Sequence, residues 1–118
     1  MIIRFETWGV GILSLLLSVR CLGVADDAAA HVGSGLKLFD AQRYREAARE
    51  FELALDIDPG LNDARYHLAV CDFNERQYPE ARGQFQRLAR AGYQPRWIAY
   101  YLGRLDLLDG HLDGKVRQ

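Results

Sequence analysis

The sequence predicts an all-α protein, an α-solenoid of antiparallel helix pairs, and three observations predict it. Beyond position 35 the chain is rich in Ala, Leu, Arg and Glu and poor in β-branched residues, which favours helix over strand. Apolar side chains there recur at helical spacing, as in Ala47, Phe51, Ala54 and Leu55. The pattern then repeats. Gly35, Ala69 and Gly103 stand 34 positions apart, and so do Tyr44, Tyr78 and Leu112. Glu46 and Glu80, Ala47 and Ala81, and Phe51 and Phe85 keep the same interval, as do Phe39, Phe73 and Leu107, and Val32, Tyr66 and Tyr100. A fixed period of this size means stacked units, each unable to bury its apolar face alone.

The first 25 residues are a different kind of sequence. A short, polar-tipped start is followed by the apolar run WGVGILSLLLSV and then by RCLGVADD. With small residues at Gly23 and Ala25, this reads as a secretory signal peptide cleaved after Ala25. The run falls short of the roughly 20 residues of a membrane-spanning helix, and Arg20 limits it further. An uncleaved anchor over residues 1–25 and a buried helix of a cytosolic protein are the alternatives. Ser18-Val19-Arg20 lacks the small residues of a lipidation site before Cys21. The expectation is export to the periplasm of a bacterial envelope, with membrane attachment only through residues 1–25. Cleavage leaves one cysteine, Cys71, so packing alone must hold the domain. Set among Leu68, Ala69 and Val70, Cys71 reads as a small buried hydrophobe.

Residues 26–118 form one modest domain, divided into repeats at about 28–61, 62–95 and an incomplete 96–118. The first helix is expected over Ala28–Ala41 and the second over Tyr44–Ile57. Asp58-Pro59-Gly60 closes the second, because proline lacks a donor and glycine accepts positive φ. A third helix is expected over Asp63–Glu75 and a fourth over Pro79–Ala91, with Pro79 in a first helical turn. The fifth runs from Pro95 to about Asp109. Pro95 comes two residues later than the repeat predicts, so a slightly longer turn is expected before it. Leu88 also replaces the small residue seen at Ala54. After Gly110 only a short remnant is expected, since Lys115 stands where Ala47 and Ala81 are small. The fifth helix carries Leu102, Leu105, Leu107 and Leu108, too apolar for a terminal cap. A partner covering it, self-association into a homo-oligomer, or truncation of a longer repeat protein would each account for that.

Gly35, Tyr44, Ala47, Phe51, Ala54 and Pro59 in the first unit carry a resemblance to a known family. So do Leu68, Ala69, Tyr78, Ala81 and Phe85 in the second, and Tyr101-Leu102-Gly103 with Gly110 in the third. Over residues 28–118 the chain resembles tetratricopeptide repeat proteins. Glycine in mid-helix costs about 1 kcal/mol relative to alanine, which close approach of a neighbouring helix at Gly35 and Gly103 would explain. Ala47 and Ala81 would answer from the second helices, with Phe51 and Phe85 filling the space between units.

The resemblance implies a non-catalytic adaptor whose first helices line a concave groove for a protein or peptide partner, either a helix or an apolar segment. On that groove it places Val32, Leu36 and Phe39 of unit one, and Asp63, Tyr66, His67, Val70, Phe73 and Asn74 of unit two. From unit three it places Trp97, Tyr100, Tyr101 and Arg104. The partner-binding set is Tyr66, His67, Val70, Phe73, Trp97, Tyr100, Tyr101 and Arg104. Tyr66, Trp97 and Tyr100 are expected to be the most exposed, while Val70 and Phe39 are open to simple helix packing. The lysines and asparagines with which one subclass clamps C-terminal carboxylates are absent at the matching places, which excludes that mode.

No catalysis, cofactor or metal is expected. Fifteen Lys+Arg against 16 Asp+Glu give no basic face for nucleic acid. His31, His67 and His111 are scattered, and His67 with Cys71 offers two metal ligands with no second pair to complete a tetrahedral site. Gly33-Ser34-Gly35 lacks the preceding strand and the Gly-Lys-Ser/Thr ending of a phosphate loop. Ser34 falls in mid-helix without triad partners. Glu46, Glu50 and Glu52 beside Arg43, Arg45 and Arg49 read as a solvated face of i,i+3 and i,i+4 pairs.

Overall fold

The computed structural model describes residues 25–112. The leader read in the first 25 residues and the remnant expected near Lys115 lie outside them, apart from Ala25. The described residues contain five helices and no strand. They are α1 (25–40), α2 (Tyr44–Ile57), α3 (Asn62–Asn74), α4 (Tyr78–Arg90) and α5 (Pro95–Leu112). Each packs on its neighbour in the chain, α2 on α3, α3 on α4 and α4 on α5. This is the all-α stack of helix pairs that the period implies.

The turns repeat as closely as the helices do. Gln42 and Arg76, 34 residues apart, both take a left-handed conformation, with φ of 59° and 62°. Each is followed by a backbone N–H reaching five residues back, Arg43 to the Leu38 carbonyl (2.9 Å) and Gln77 to that of Asp72 (2.8 Å). Gly92 (φ 70°) makes the same close, with Tyr93 N donating to the Leu88 carbonyl at 3.0 Å. These left-handed closures satisfy the last carbonyls of α1, α3 and α4.

The other stop signal works differently from expectation. Gly60 is not in the left-handed region. It donates its N–H to the Asp58 carboxylate at 3.0 Å, a local side-chain turn around Pro59. The turn before α5 is no longer than its counterpart before α3: four residues separate the helices in both. Pro95 is the first residue of α5, as expected, a position where its missing N–H costs nothing. The fifth helix also outruns its expected end. It continues through Gly110, the repeat position of Gln42 and Arg76, to Leu112.

Two apolar clusters form the core. Ala47, Phe51 and Leu55 of α2 meet Ala64, Leu68 and Cys71 of α3. Ala69 and Val70, on another face of α3, join Ala81, Phe85 and Leu88 of α4 with Ile98 and Leu105 of α5. Phe51, Phe85, Leu88 and the alanines at 47 and 81 are fully buried, and the described core holds no buried polar residue. Leu88 thus fills with bulk a place where α2 has Ala54.

Close approach explains one of the two mid-helix glycines. A Cβ on Gly35 would stand 2.8 Å from Cε1 and 2.9 Å from Cζ of the buried Phe51 ring. At Gly103 a Cβ would meet nothing within 4 Å among the described residues. The expectation for Gly103 therefore fails, for a definite reason. Gly35 and Ala69 face the second helix of their own units, and the described residues contain no second helix after α5.

Candidate functional site

Aromatic side chains form one row across α1, α3 and α5. Its order is Phe39, His67, Tyr66, Tyr101, Tyr100 and Trp97. Successive ring centroids lie 5.1, 5.5, 6.4, 5.4 and 6.3 Å apart, mostly edge to face. The row is anchored from below. Tyr101 stacks on the buried Phe85 ring at 4.7 Å, nearly parallel, and His67 stacks on Phe51 at 5.5 Å. The His67 Nδ1–H donates to the Asp63 carbonyl one turn earlier (2.8 Å), which fixes the orientation of the ring.

The eight residues of the binding set separate by burial. Trp97 and Tyr100 are open, at 54% and 50% exposure. Tyr66, His67, Phe73 and Tyr101 are half-buried, and Tyr66 is less open than expected because it packs against Phe85, Tyr93 and Tyr101. Val70 is a correction: at 6% exposure it belongs to the core with Phe85 and Leu105, and offers no surface. Arg104 is exposed, its guanidinium 5.0 Å from the Phe73 ring centroid and 5.7 Å from that of Tyr100, whose hydroxyl accepts from it at 3.3 Å. A cation held over two rings contributes about 0.5–1 kcal/mol at such exposure.

Of the flanking residues, Val32 and Phe39 pack on the Phe51 cluster and Leu36 is exposed. Asn74 donates its amide to the Val70 carbonyl at 2.8 Å. Beside the row, the start of α1 faces α3 across an apolar depression of about 340 Å³ lined by Ala28, Val32, Leu61 and Ala64 among others.

Sequence reasoning missed Tyr93. Its hydroxyl donates to the Asp63 carboxylate, tying the α4–α5 turn to α3, and its ring lies 6.2 Å from Tyr66. Burial, then the Asp63 carboxylate, pushes its hydroxyl pKa up to about 12. The signal was present: Tyr93 holds the repeat position of Pro59.

On the α2–α3 side, charge is managed rather than displayed. Arg43 pairs with Glu46 at 2.5 Å, as the i,i+3 pattern suggested. Glu50 instead accepts from His31 of α1 at 2.8 Å, and Glu75 from Arg45 at 3.4 Å. Asp72 sits half-buried in an open depression with Arg45, Arg49 and Glu52. Burial first, then Glu52 and Glu80, raises its carboxyl to about 7. Among the described residues no three His, Cys, Asp or Glu side chains converge on a metal position. Cys71 is fully buried, and burial with the nearby Asp72 and Glu75 pushes its thiol up to about 12. No described helix is long and apolar enough to cross a membrane.

An anchored row of rings with a guanidinium beside Tyr100 can hold apolar and aromatic groups and orient an acceptor. No curated protein and no solved structure matches the chain. A family model, the tetratricopeptide repeat, matches residues 38–105, which span the second helix of unit one, all of unit two and the row itself. Repeats of this kind generally mediate protein–protein interaction as non-catalytic scaffolds. With that match covering more than half of its length, the chain belongs to the tetratricopeptide repeat family.

Proposed function

We propose that this chain is an exported, non-catalytic adaptor that binds a partner helix or apolar peptide along the aromatic row, in the groove formed by α1, α3 and α5. The observation that carries the reading is the exposure of Trp97 and Tyr100 together, with Arg104 held over Tyr100, residue types that dominate binding energy at interfaces. Tyr101 and His67 are already fixed on buried rings, so binding immobilises little that is free. Apolar side chains of the partner at helical spacing would lie on successive rings, and a partner carbonyl or carboxylate would meet Arg104. Export rests on the leader pattern in residues 1–25.

Crosslinking in native membranes, read by mass spectrometry, reports both the partner and the true N-terminus. Tyr100→Ala and Tyr66→Ala should each weaken partner capture about tenfold or more while far-ultraviolet dichroism keeps its helical signal. Capture unchanged in both variants refutes the groove, and a chain that keeps residues 1–25 refutes cleavage.

A further inference from the structure

The α3 face carrying Tyr66, Ala69, Val70 and Phe73 is covered by α4 and α5. Ala69 is fully buried in the cluster built on Phe85, and Phe73 meets Tyr78 at 5.7 Å. The repeat interval carries this face onto Tyr100, Gly103, Arg104 and Leu107 of α5. There Tyr100 is 50% and Leu107 73% exposed, and among the described residues no atom lies within 4 Å of a Cβ placed on Gly103. Residues up to Leu112 do not turn back over it, because α5 stays helical past the position at which α1 and α3 reverse.

The helices covering the equivalent faces share one pattern, Tyr44-x2-Ala47-x3-Phe51 and Tyr78-x2-Ala81-x3-Phe85. In unit one the Phe51 ring rests directly on Gly35. Charge distinguishes the two versions. The open face has Arg104 where α3 has Val70, and Arg96 is exposed on the same helix. Asp106 and Asp109 do not offset them, since Arg82 of α4 holds both, at 2.7 and 2.5 Å. Helix α2 is acidic, with Glu46, Glu50, Glu52 and Asp56 against Arg45 and Arg49, whereas α4 carries Arg82, Arg87 and Arg90 against Glu80. We propose that the open face of α5 docks an acidic amphipathic helix with an aromatic-x2-Ala-x3-aromatic pattern. Its second aromatic ring rests on Gly103 as Phe51 rests on Gly35, its first meets Leu107, and its carboxylates face Arg104. The site is distinct from the groove, and only Tyr100 and Arg104 border both.

The test is fluorescence anisotropy of the full chain with a labelled peptide of residues 44–57. Saturable binding is expected, weakened about tenfold or more by Phe51→Ala in the peptide. The basic peptide of residues 78–90 should bind more weakly at low salt, with the gap narrowing at high salt. Gly103→Gln in the chain should abolish binding while its melting temperature holds or rises, since a side chain there meets open space. Equal binding by the Phe51→Ala peptide, or undiminished binding to Gly103→Gln, overturns the proposal. So does light scattering that finds a dimer of the chain alone, lost in Gly103→Gln and indifferent to the peptide. That result would assign the face to a second copy.

Discussion

Substituting alanine at Gly35 and at Gly103 should move stability in opposite directions, although the two positions are repeat equivalents. Both glycines lie inside helices, so each substitution gains about 1 kcal/mol of helix propensity. At Gly103 nothing among the described residues opposes that gain, because the new methyl meets none of their atoms within 4 Å. At Gly35 the methyl would stand 2.8–3.0 Å from three atoms of the Phe51 ring, which is fully buried. Overpacking of this kind costs about 1–3 kcal/mol. Gly35→Ala should therefore lose about 1 kcal/mol net and Gly103→Ala gain about 1 kcal/mol. The propensity gain cancels in the difference, which isolates the ring contact. For a domain of this size each kcal/mol shifts the melting temperature by about 4–8 °C. Thermal and urea unfolding followed by dichroism at 222 nm would read both variants. If Gly35→Ala stabilised the chain as much as Gly103→Ala, the close contact between α1 and Phe51 would be refuted.

Asp72 gives a pH signature. Its folded carboxyl titrates near 7 against an ordinary value of 3.8, because burial, Glu52 and Glu80 disfavour its charge. A raised folded value means this residue supports stability below about pH 4, and that support is lost as pH rises through 7. Asp72→Asn should thus be neutral near pH 4 and stabilising by about 1 kcal/mol at pH 8 after solvent screening, and a pH-independent effect in melting curves would refute it. Arg76→Gly should stabilise by about 0.5–1 kcal/mol, since glycine relieves the left-handed strain at some cost in unfolded-state entropy. A fall in the urea midpoint would contradict that. In a Cys21→Ser background, Cys71 should resist a disulfide-exchange reagent at pH 8 until urea opens the core, being fully buried with its thiol pushed up to about 12. Rapid native labelling would show that α2 and α3 do not seal it.

Periodicity was legible because stacking recurs at each step. The limits of α2 were readable from Tyr44 and the Asp58-Pro59 stop, and the small residues at 47 and 81 with the rings at 51 and 85 announced their contact. The turns were less legible. Gln42 and Arg76 adopt left-handed geometry without being glycine, held there by the hydrogen bonds that close α1 and α3, whereas Gly60, which could adopt it, does not. The candidate site was readable as a set of residue types on the first helices, and burial then sorted it. Val70 went to the core because α3 serves two neighbours at once, while Trp97 and Tyr100 stayed open.

By itself, then, the sequence determined the unit: helix pairs at a fixed interval, their order, and the Ala and Phe positions that join them, all properties of spacing along one chain. Only the tertiary structure decided which copies of those positions are in use. Gly35 and Gly103 read alike, yet one bears a ring and the other faces open space, because contact depends on the neighbouring helix in the stack. It likewise joined Tyr93 to Asp63, Arg82 to both acids of α5, and six rings into one row. The Tyr93 and Arg82 contacts, and the Phe39–His67 and Tyr66–Tyr101 links of the row, bridge separate elements, and a period within the chain carries no information about distances across it.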